Sequence, residues 1–527
     1  MPRETKTRPT LKQANRATVL LVSLSLALCP FTLLLTLSFY ILSRLTNTHL
    51  GANQQAEGGD KSVKTVLITG ARANKALTLI RAFKRSGCRV IAAEEEKWGR
   101  YAMSRFSRGV DNYHFLPDSD VDQEAYIHAL QRIISAERID AWVPCSTVQA
   151  TMLDSEAAKR IREGKLGGKA GCECFIPEPI IAGELHWKDQ FEALLKDLGI
   201  AVPDSKVVTS VPAAVDFLHA PETLAKGHRY LLKCLTLDDL GRDDFTLLPL
   251  ATPEETFNHL SSIPTPISAK DPFLLQQFLH GPEYCTHVAA RCGRITAFVA
   301  CRSNQLLMRY ADVANLGAEE RARGHELEAW SQRFLDLYQS KLEKEGKTSA
   351  TFNLTGHFSF DFIYEENEQT LYVLECNLRA HTAVCLLSDN KLLGAHYLGE
   401  TKKNSVAYPA PGTAARSWLA HALPLTVARW VPRSLHPIIH PQLFSTLYPP
   451  AGPFDPTASP FPYEGPIQLL RRYLIDGSER DGVWDWSDPW PFFALCHITW
   501  PWLLLNRMWR GVAWSRVNVS TSRVFEC

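Results

Sequence analysis

Residues 356–381 read GHFSFDFIYEENEQTLYVLECNLRAH, and this stretch restricts the chain more tightly than any other. Two strand-like runs, 358–364 and 370–377, flank the acidic polar turn Glu365-Glu366-Asn367-Glu368. Side chains alternate faces along a strand. His357, Ser359 and Asp361 therefore share one face of the first run, and Phe358, Phe360 and Phe362 share the other. In the second run Glu375, Asn377 and Arg379 lie together, opposed to Leu374, Cys376 and Leu378. Paired as a hairpin, the runs bring Asp361 and Glu375 onto one surface, beside an amide oxygen and a guanidinium. That set suits Mg²⁺ held by oxygen ligands, with a phosphate-binding cation next to it. An amphipathic hairpin whose charged face is merely solvated meets the same alternation.

The rest of the composition is ordinary. A chain of 527 residues with 45% hydrophobic content is a multi-domain globular protein. Its 57 Lys and Arg against 56 Asp and Glu leave a net charge of +1, which gives no basis for bulk nucleic-acid binding. The 13 cysteines form no C-x-x-C pair, and Cys172-Glu173-Cys174 is too tight for zinc, so reduced thiols are expected.

A basic stretch, 1–18, precedes an almost uncharged run at 19–45, VLLVSLSLALCPFTLLLTLSFYILSRL. The run is long enough for one membrane-spanning helix of about 20 residues and exceeds a secretory signal core. It reads as an uncleaved transmembrane anchor in contact with membrane lipid, followed by a polar linker at 46–63. A buried core helix is the other possibility. Orientation stays open. Arg3, Lys6, Arg8, Lys12 and Arg16 outnumber Arg44, Lys61 and Lys64, which puts the N-terminus in the cytosol and the body across the membrane. Pro30 could instead break the run into a re-entrant hairpin with both ends cytosolic. Of two N-glycosylation patterns, Asn353-Leu354-Thr355 and Asn518-Val519-Ser520, the first abuts the hairpin, where a glycan would obstruct it. A cytosolic body is therefore expected.

Residues 64–180 are patterned as α/β. Strands are expected at 65–69, 88–93, 112–116 and 141–144, with helices at 76–85 and 123–135. The loop Gly70-Ala71-Arg72-Ala73-Asn74-Lys75 has neither G-x-G-x-x-G nor GK[ST], which argues for a Rossmann-like topology without a dinucleotide function. Arg72 and Ser146-Thr147, at strand ends, are candidate substrate contacts, though solvated loop residues would look the same.

The order E-x-N-x-R at 375–379, after a strand carrying Asp361-Phe362, resembles the metal-binding end of the ATP-grasp ligases. The resemblance covers about 64–400. It implies an α/β and α+β fold: a Rossmann-like pre-grasp domain at 64–180, an ATP-grasp domain at 181–400, and a Pro/Trp-rich C-terminal region at 401–527. It also implies that Asp361, Glu375 and Asn377 hold Mg²⁺ or Mn²⁺ and that Arg379 is a catalytic phosphate ligand. Lys188 matches a phosphate-facing lysine at a helix start. That helix is read as opening within Glu184-Leu185-His186-Trp187-Lys188-Asp189-Gln190-Phe191 and stopping at Gly199. The acidic residue here follows the lysine, a departure from the commoner order. Lys233, in Tyr230-Leu231-Leu232-Lys233-Cys234, matches a second lysine with ATP-binding and catalytic roles; a strand lysine that snorkels outward is the alternative. Residues 236–245 stand where the family has a glycine-rich lid, yet hold one glycine and four aspartates.

Residues 272–284 resemble the family hinge. There Gln277 and Leu279 would offer backbone contacts to adenine, Gln276 stands where a Glu is usual, and Glu283 of Gly281-Pro282-Glu283 would hold the ribose. A hairpin of 283–291 and 294–301 and a helix at 325–344, with Leu327, Trp330, Phe334, Leu337 and Tyr338 as its core stripe, complete the lobe. Within the superfamily the likeness is to mycosporine-glycine synthases and fungal secondary-metabolite enzymes of fumisoquin-type alkaloid pathways. Phe106-Ser107, Asp361-Phe362 and Asp488-Pro489-Trp490-Pro491-Phe492-Phe493 carry it. The implied activity is an ATP-dependent carbon–nitrogen ligase joining a small-molecule carboxylate or enolised carbonyl to an amine through a phosphorylated intermediate. A kinase on the same fold and a membrane-tethered nucleotide-binding scaffold are the rivals. Past residue 400, prolines cluster at 409–411 and 449–450, and 484–514 is rich in tryptophan. The stretch 491–510 suits either the headgroup boundary of a bilayer or packing on the core.

Overall fold

A strand with apolar side chains on both faces needs cover on both sides, and Thr65–Thr69 (TVLIT) is buried throughout. In the computed structural model it sits at the centre of a parallel five-stranded sheet. The order is Asn112–Leu116, Arg89–Glu95, Thr65–Thr69, Ala141–Pro144 and Glu173–Cys174. Val66 and Ile68 pack with the helix Asn74–Arg85 on one face, and Leu67 packs with the helix Gln123–Glu137 on the other. The turn after the central strand needs Gly70: its φ is +68°, and a Cβ there would lie 2.5 Å from the Cys145 carbonyl carbon. The structure describes residues 10–46, 50, 63–147, 150–164, 171–235, 246–303, 309–347, 353–423 and 466–526. The residues before Thr10, nearly all of the linker, the expected lid at 236–245 and the prolines at 449–450 lie outside the described residues.

Two antiparallel sheets follow. A small one has Phe273–Gln277 between Ser205–Val208 and Tyr230–Cys234. A larger one runs Arg294–Arg302, Glu283–Arg291, Ser359–Glu365 and Thr370–Asn377, with Gly356–His357 also paired to Glu283–Arg291. The helix Ala318–Lys344 covers the larger sheet through Leu327, Phe334, Leu335 and Tyr338; Leu335 takes the buried place expected of Leu337. Phe358, Phe360 and Phe362 are fully buried beneath it, with Phe360 5.2 Å from Phe334 and Phe362 5.0 Å from Trp330, centroid to centroid. Burial of each such ring is worth about 1.5–3 kcal/mol. The result is the mixed α/β and α+β architecture expected, a parallel sheet followed by two antiparallel lobes. All described cysteines are free thiols.

The N-terminal apolar run forms one helix, Leu11–Leu45, closed at its start by a Thr10/Gln13 capping box. It passes unbroken through Pro30, so the re-entrant hairpin is not formed. By length and composition it could cross a membrane, with a mean hydropathy of 2.3 over its most apolar window. The C-terminal helices Trp490–Ala494 and Trp500–Arg510 join the same core as Val66 and Leu77, a core that also takes in Cys285 and Val299 of the large antiparallel sheet, so this region packs on the protein body. Asp488 is the tie. Fully buried, it accepts from Arg81 Nε at 2.9 Å, Ser107 Oγ at 2.6 Å and the Arg108 amide at 2.9 Å. Asp488→Ala leaves the buried Arg81 cation without its counter-ion and is expected to lower the unfolding free energy by about 3–5 kcal/mol in chemical denaturation. A loss below about 1 kcal/mol, the scale of an exposed pair, would mean that this contact does not hold the segment.

Candidate active site

Register places the carboxylates of the hairpin. Asp361 pairs with Glu375, and Ser359 with Asn377. Phe362 then pairs with Val373, so Leu374 is an extra residue in a β-bulge. Val373 accordingly joins Cys376 and Leu378 in the core, where strict alternation put Leu374. Asn377 Nδ2 bridges the acids, 3.1 Å from Asp361 Oδ2 and 3.1 Å from Glu375 Oε1. Burial and the adjacent Glu375 push the Asp361 carboxyl well above its ordinary range. Glu375 is held below its own range, chiefly by the Lys188 ammonium 3.1 Å from its Oε2. Two facing carboxylates and an amide that can turn its oxygen inward are donors suited to Mg²⁺ or Mn²⁺, and a divalent cation would relieve their repulsion. Among the described residues no group of three or more His, Cys, Asp or Glu forms a metal cluster.

Lys188 comes to this hairpin from the start of the helix Lys188–Asp197. The single helix expected from Glu184 is two: Pro179–His186 ends, Trp187 is extended at φ −85°, ψ 126°, and a new helix begins at Lys188. No Ser, Thr, Asp or Asn precedes Lys188 to signal that break. The bend brings in His186, which the sequence reading did not single out. Burial and the Arg379 charge lower its pKa to about 4.

Lys233 turns inward, donating to Gln276 Oε1 at 2.5 Å. Burial and then Lys188 lower its pKa to about 8, with Glu375 and Glu283 opposing. Gln277 donates its amide to the Asp204 carbonyl at 2.7 Å and accepts from the Asp204 amide at 3.0 Å through Oε1. The backbone contact expected of Gln277 therefore falls to its carbonyl. The Leu279 side chain is buried, and among the described residues its amide donates to no protein group. Gly281 has φ +150°, and a Cβ there would stand 2.0 Å from the Tyr364 carbonyl oxygen. That approach pins the hinge to the hairpin, with the Tyr364 amide donating to Pro282 O at 3.1 Å and Ile363 paired with Glu283. Glu283 begins its strand at the rim, where surrounding protein raises its carboxyl pKa against the pull of Lys233.

Arg379 is anchored through its backbone: its amide donates to Asn377 O at 2.8 Å, and its carbonyl accepts from Ser359 Oγ at 3.0 Å. Its charge reaches Lys75, a second residue without a sequence signal. Lys75 is buried in the first turn of the helix Asn74–Arg85 and donates to Ser146 O at 3.3 Å; burial and then Arg379 lower its pKa to about 7. Arg72 lies elsewhere, its guanidinium 4.6 Å from the Trp98 ring centroid.

No protein-family model and no curated protein matches the chain. Solved structures similar to it include an L-amino acid ligase from Bacillus licheniformis, at 14% identity over 61% of this chain and 68% of that one, TM-score 0.40. A biotin carboxylase from Campylobacter jejuni shares 14% identity over 67% and 73%, TM-score 0.46. An N5-carboxyaminoimidazole synthetase from Staphylococcus aureus, complexed with ADP, shares 14% over 66% and 80%, TM-score 0.42.

The Lys233 ammonium loses its proton as pH rises through about 8. ATP affinity, measured by calorimetry, is expected to weaken over that rise, and Lys233→Arg to carry the weakening to higher pH. An unchanged profile in the arginine variant would remove Lys233 from nucleotide binding.

Proposed function

We propose that this chain is an ATP-grasp carbon–nitrogen ligase that joins a carboxylate, or an enolised carbonyl of similar acidity, to an amine of amino-acid type, in the biosynthesis of an alkaloid or mycosporine-like secondary metabolite. One observation carries the reading: the Lys188 ammonium lies 3.1 Å from Glu375, in electrostatic reach of Lys233. Three separate segments thereby present two cations and two acids to one space.

In this reading the Gln277 carbonyl and the Leu279 amide meet the adenine, Glu283 the ribose, and Lys188 and Lys233 the phosphates. Lys188 exchanges Glu375 for phosphate when ATP binds. Asp361, Glu375 and Asn377 would hold a divalent ion, which would supply Lewis-acid charge for the phosphoryl transfer. Arg379 holds the γ-phosphoryl group in line with the acceptor. The acceptor oxygen attacks the γ-phosphorus, the bond to the β,γ-bridging oxygen breaks, and ADP leaves. The amine nitrogen then attacks the activated carbon, the carbon–oxygen bond to phosphate breaks, and the nitrogen sheds a proton. This is positioning and electrostatic work, so no Ser or Cys nucleophile is required.

A cytosolic body belongs to the proposal. Free thiols throughout the described residues support it. So does the second glycosylation pattern, where the Asn518 amide oxygen accepts from Ser520 Oγ at 2.7 Å and Ser520 is 1% exposed. Metabolite comparison of a strain lacking the protein with its parent identifies the substrates. With those, Asp361→Ala and Glu375→Ala are each expected to abolish amine-dependent phosphate release with thermal unfolding unchanged. Near-normal turnover in either would sink the assignment, and phosphate transfer to a stable product without amine would make the enzyme a kinase.

A further inference from the structure

The helix Leu11–Leu45 has two unlike faces. Inward lie Ala14, Ala17, Thr18, Thr36 and Ser43, all buried. Thr18 Oγ1 accepts from Trp514 Nε1 at 3.0 Å, and Ser43 Oγ accepts from Arg108 at 3.1 Å. Between them the His497 ring meets Ser25 Oγ at Nδ1, 2.9 Å, and Thr32 Oγ1 at Nε2, 2.6 Å. Residues 18, 25 and 32 follow one another at seven-residue steps, two turns apart, and so share one side of the helix. Outward lie Val19, Leu26, Phe31, Leu34, Ile41 and Leu45, between 53% and 79% exposed.

These inward contacts forbid a simple crossing of a bilayer. From Thr18 to Ser43 the helix advances about 37 Å at about 1.5 Å per residue, more than the roughly 30 Å of hydrocarbon in a membrane. Both ends of that length are held by the same body. Along it lie Arg108, His497 and the shell of the buried Arg81–Asp488 ion pair. A spanning helix would carry those groups into hydrocarbon, where charge is costly.

We infer that the helix lies in the plane of the membrane as a monotopic anchor, its outward face in the headgroup and acyl boundary of an anionic phospholipid bilayer. The neighbouring helix Trp500–Arg510 adds Trp502, Leu505 and Trp509, exposed by 37%, 36% and 90%. Tryptophan favours that boundary. Exposed Lys12, Arg16 and Arg44 stand near the two ends of the helix, giving the apolar face a cationic margin that complements anionic headgroups. The inference is independent of the chemistry at the hairpin.

The full chain, tagged at each terminus and placed in sealed microsomes with protease outside, tests the topology. Both tags are expected to share one fate; cleavage of one with protection of the other overturns the inference. Co-sedimentation with phosphatidylcholine–phosphatidylserine vesicles tests the face. The triple variant Leu26→Asp, Phe31→Asp, Leu34→Asp is expected to bind about tenfold less or weaker still, with thermal unfolding unchanged. Undiminished binding by the variant overturns the inference, as does a soluble dimer of the unaltered chain that ignores vesicles.

Discussion

Two carboxylates on neighbouring strands repel each other, and much of the large sheet serves to hold Asp361 and Glu375 together. The register between their strands fixes the pairing, and the bulge at Leu374 keeps Glu375 on the Asp361 face while Val373 still reaches the core. Beneath them three phenylalanines lock against the helix Ala318–Lys344. That packing fixes the strand backbones from which the two acids project. What remains is electrostatic: the Asp361 carboxyl is pushed above its ordinary range by burial and by Glu375, while Glu375 is matched by Lys188. On the proposed reading, a divalent ion and a phosphate chain relieve that repulsion together, since one satisfies the acids and the other the released lysine.

The same logic links the parts around the site. The hinge is bound to the hairpin through Gly281, whose close approach to Tyr364 leaves no room for a side chain. The helix Asn74–Arg85, which follows the central strand of the parallel sheet, brings the buried Lys75 within electrostatic reach of Arg379. Asp488, reaching Arg81, Ser107 and Arg108, fastens the C-terminal tryptophan-rich segment to the parallel-sheet side. That segment in turn clasps the N-terminal helix. The chain's two ends therefore form one layer on the side away from the large antiparallel sheet's helix cover.

Much of this was legible in the sequence where local pattern decides structure. Asn112–Leu116, Ala141–Pro144, Tyr230–Cys234 and Thr370–Asn377 occupy the residues their alternation or apolar runs indicated. The meeting of Asp361 and Glu375 was expected from alternation, but the bulge makes it: continued from the Glu365–Thr370 pair, a regular register would set Asp361 opposite Leu374. The misses are tertiary in origin. A bulge inserts one residue without altering composition, so Leu374 and Val373 exchange places unannounced. The break at Trp187 has no capping residue, which hid both the true helix start and His186. Lys75 looked like any loop lysine, because the Ser146 carbonyl it meets lies 71 residues away. The apolar run at the N-terminus was plain, but its seven-residue Ser/Thr seam acquires meaning with His497 opposite it. Ser107 and Asp488 carried a likeness as separate motifs and proved to be bonded to each other.

The central claim is that the hairpin acids are the metal wall of a nucleotide site. Calorimetric titration of the full chain with ATP, once with Mg²⁺ and once with EDTA, tests it most directly. Saturable binding that tightens about tenfold with Mg²⁺, a typical coupling between two ligands, is the predicted result. Binding that is equally tight in EDTA, or absent under both conditions, would contradict it.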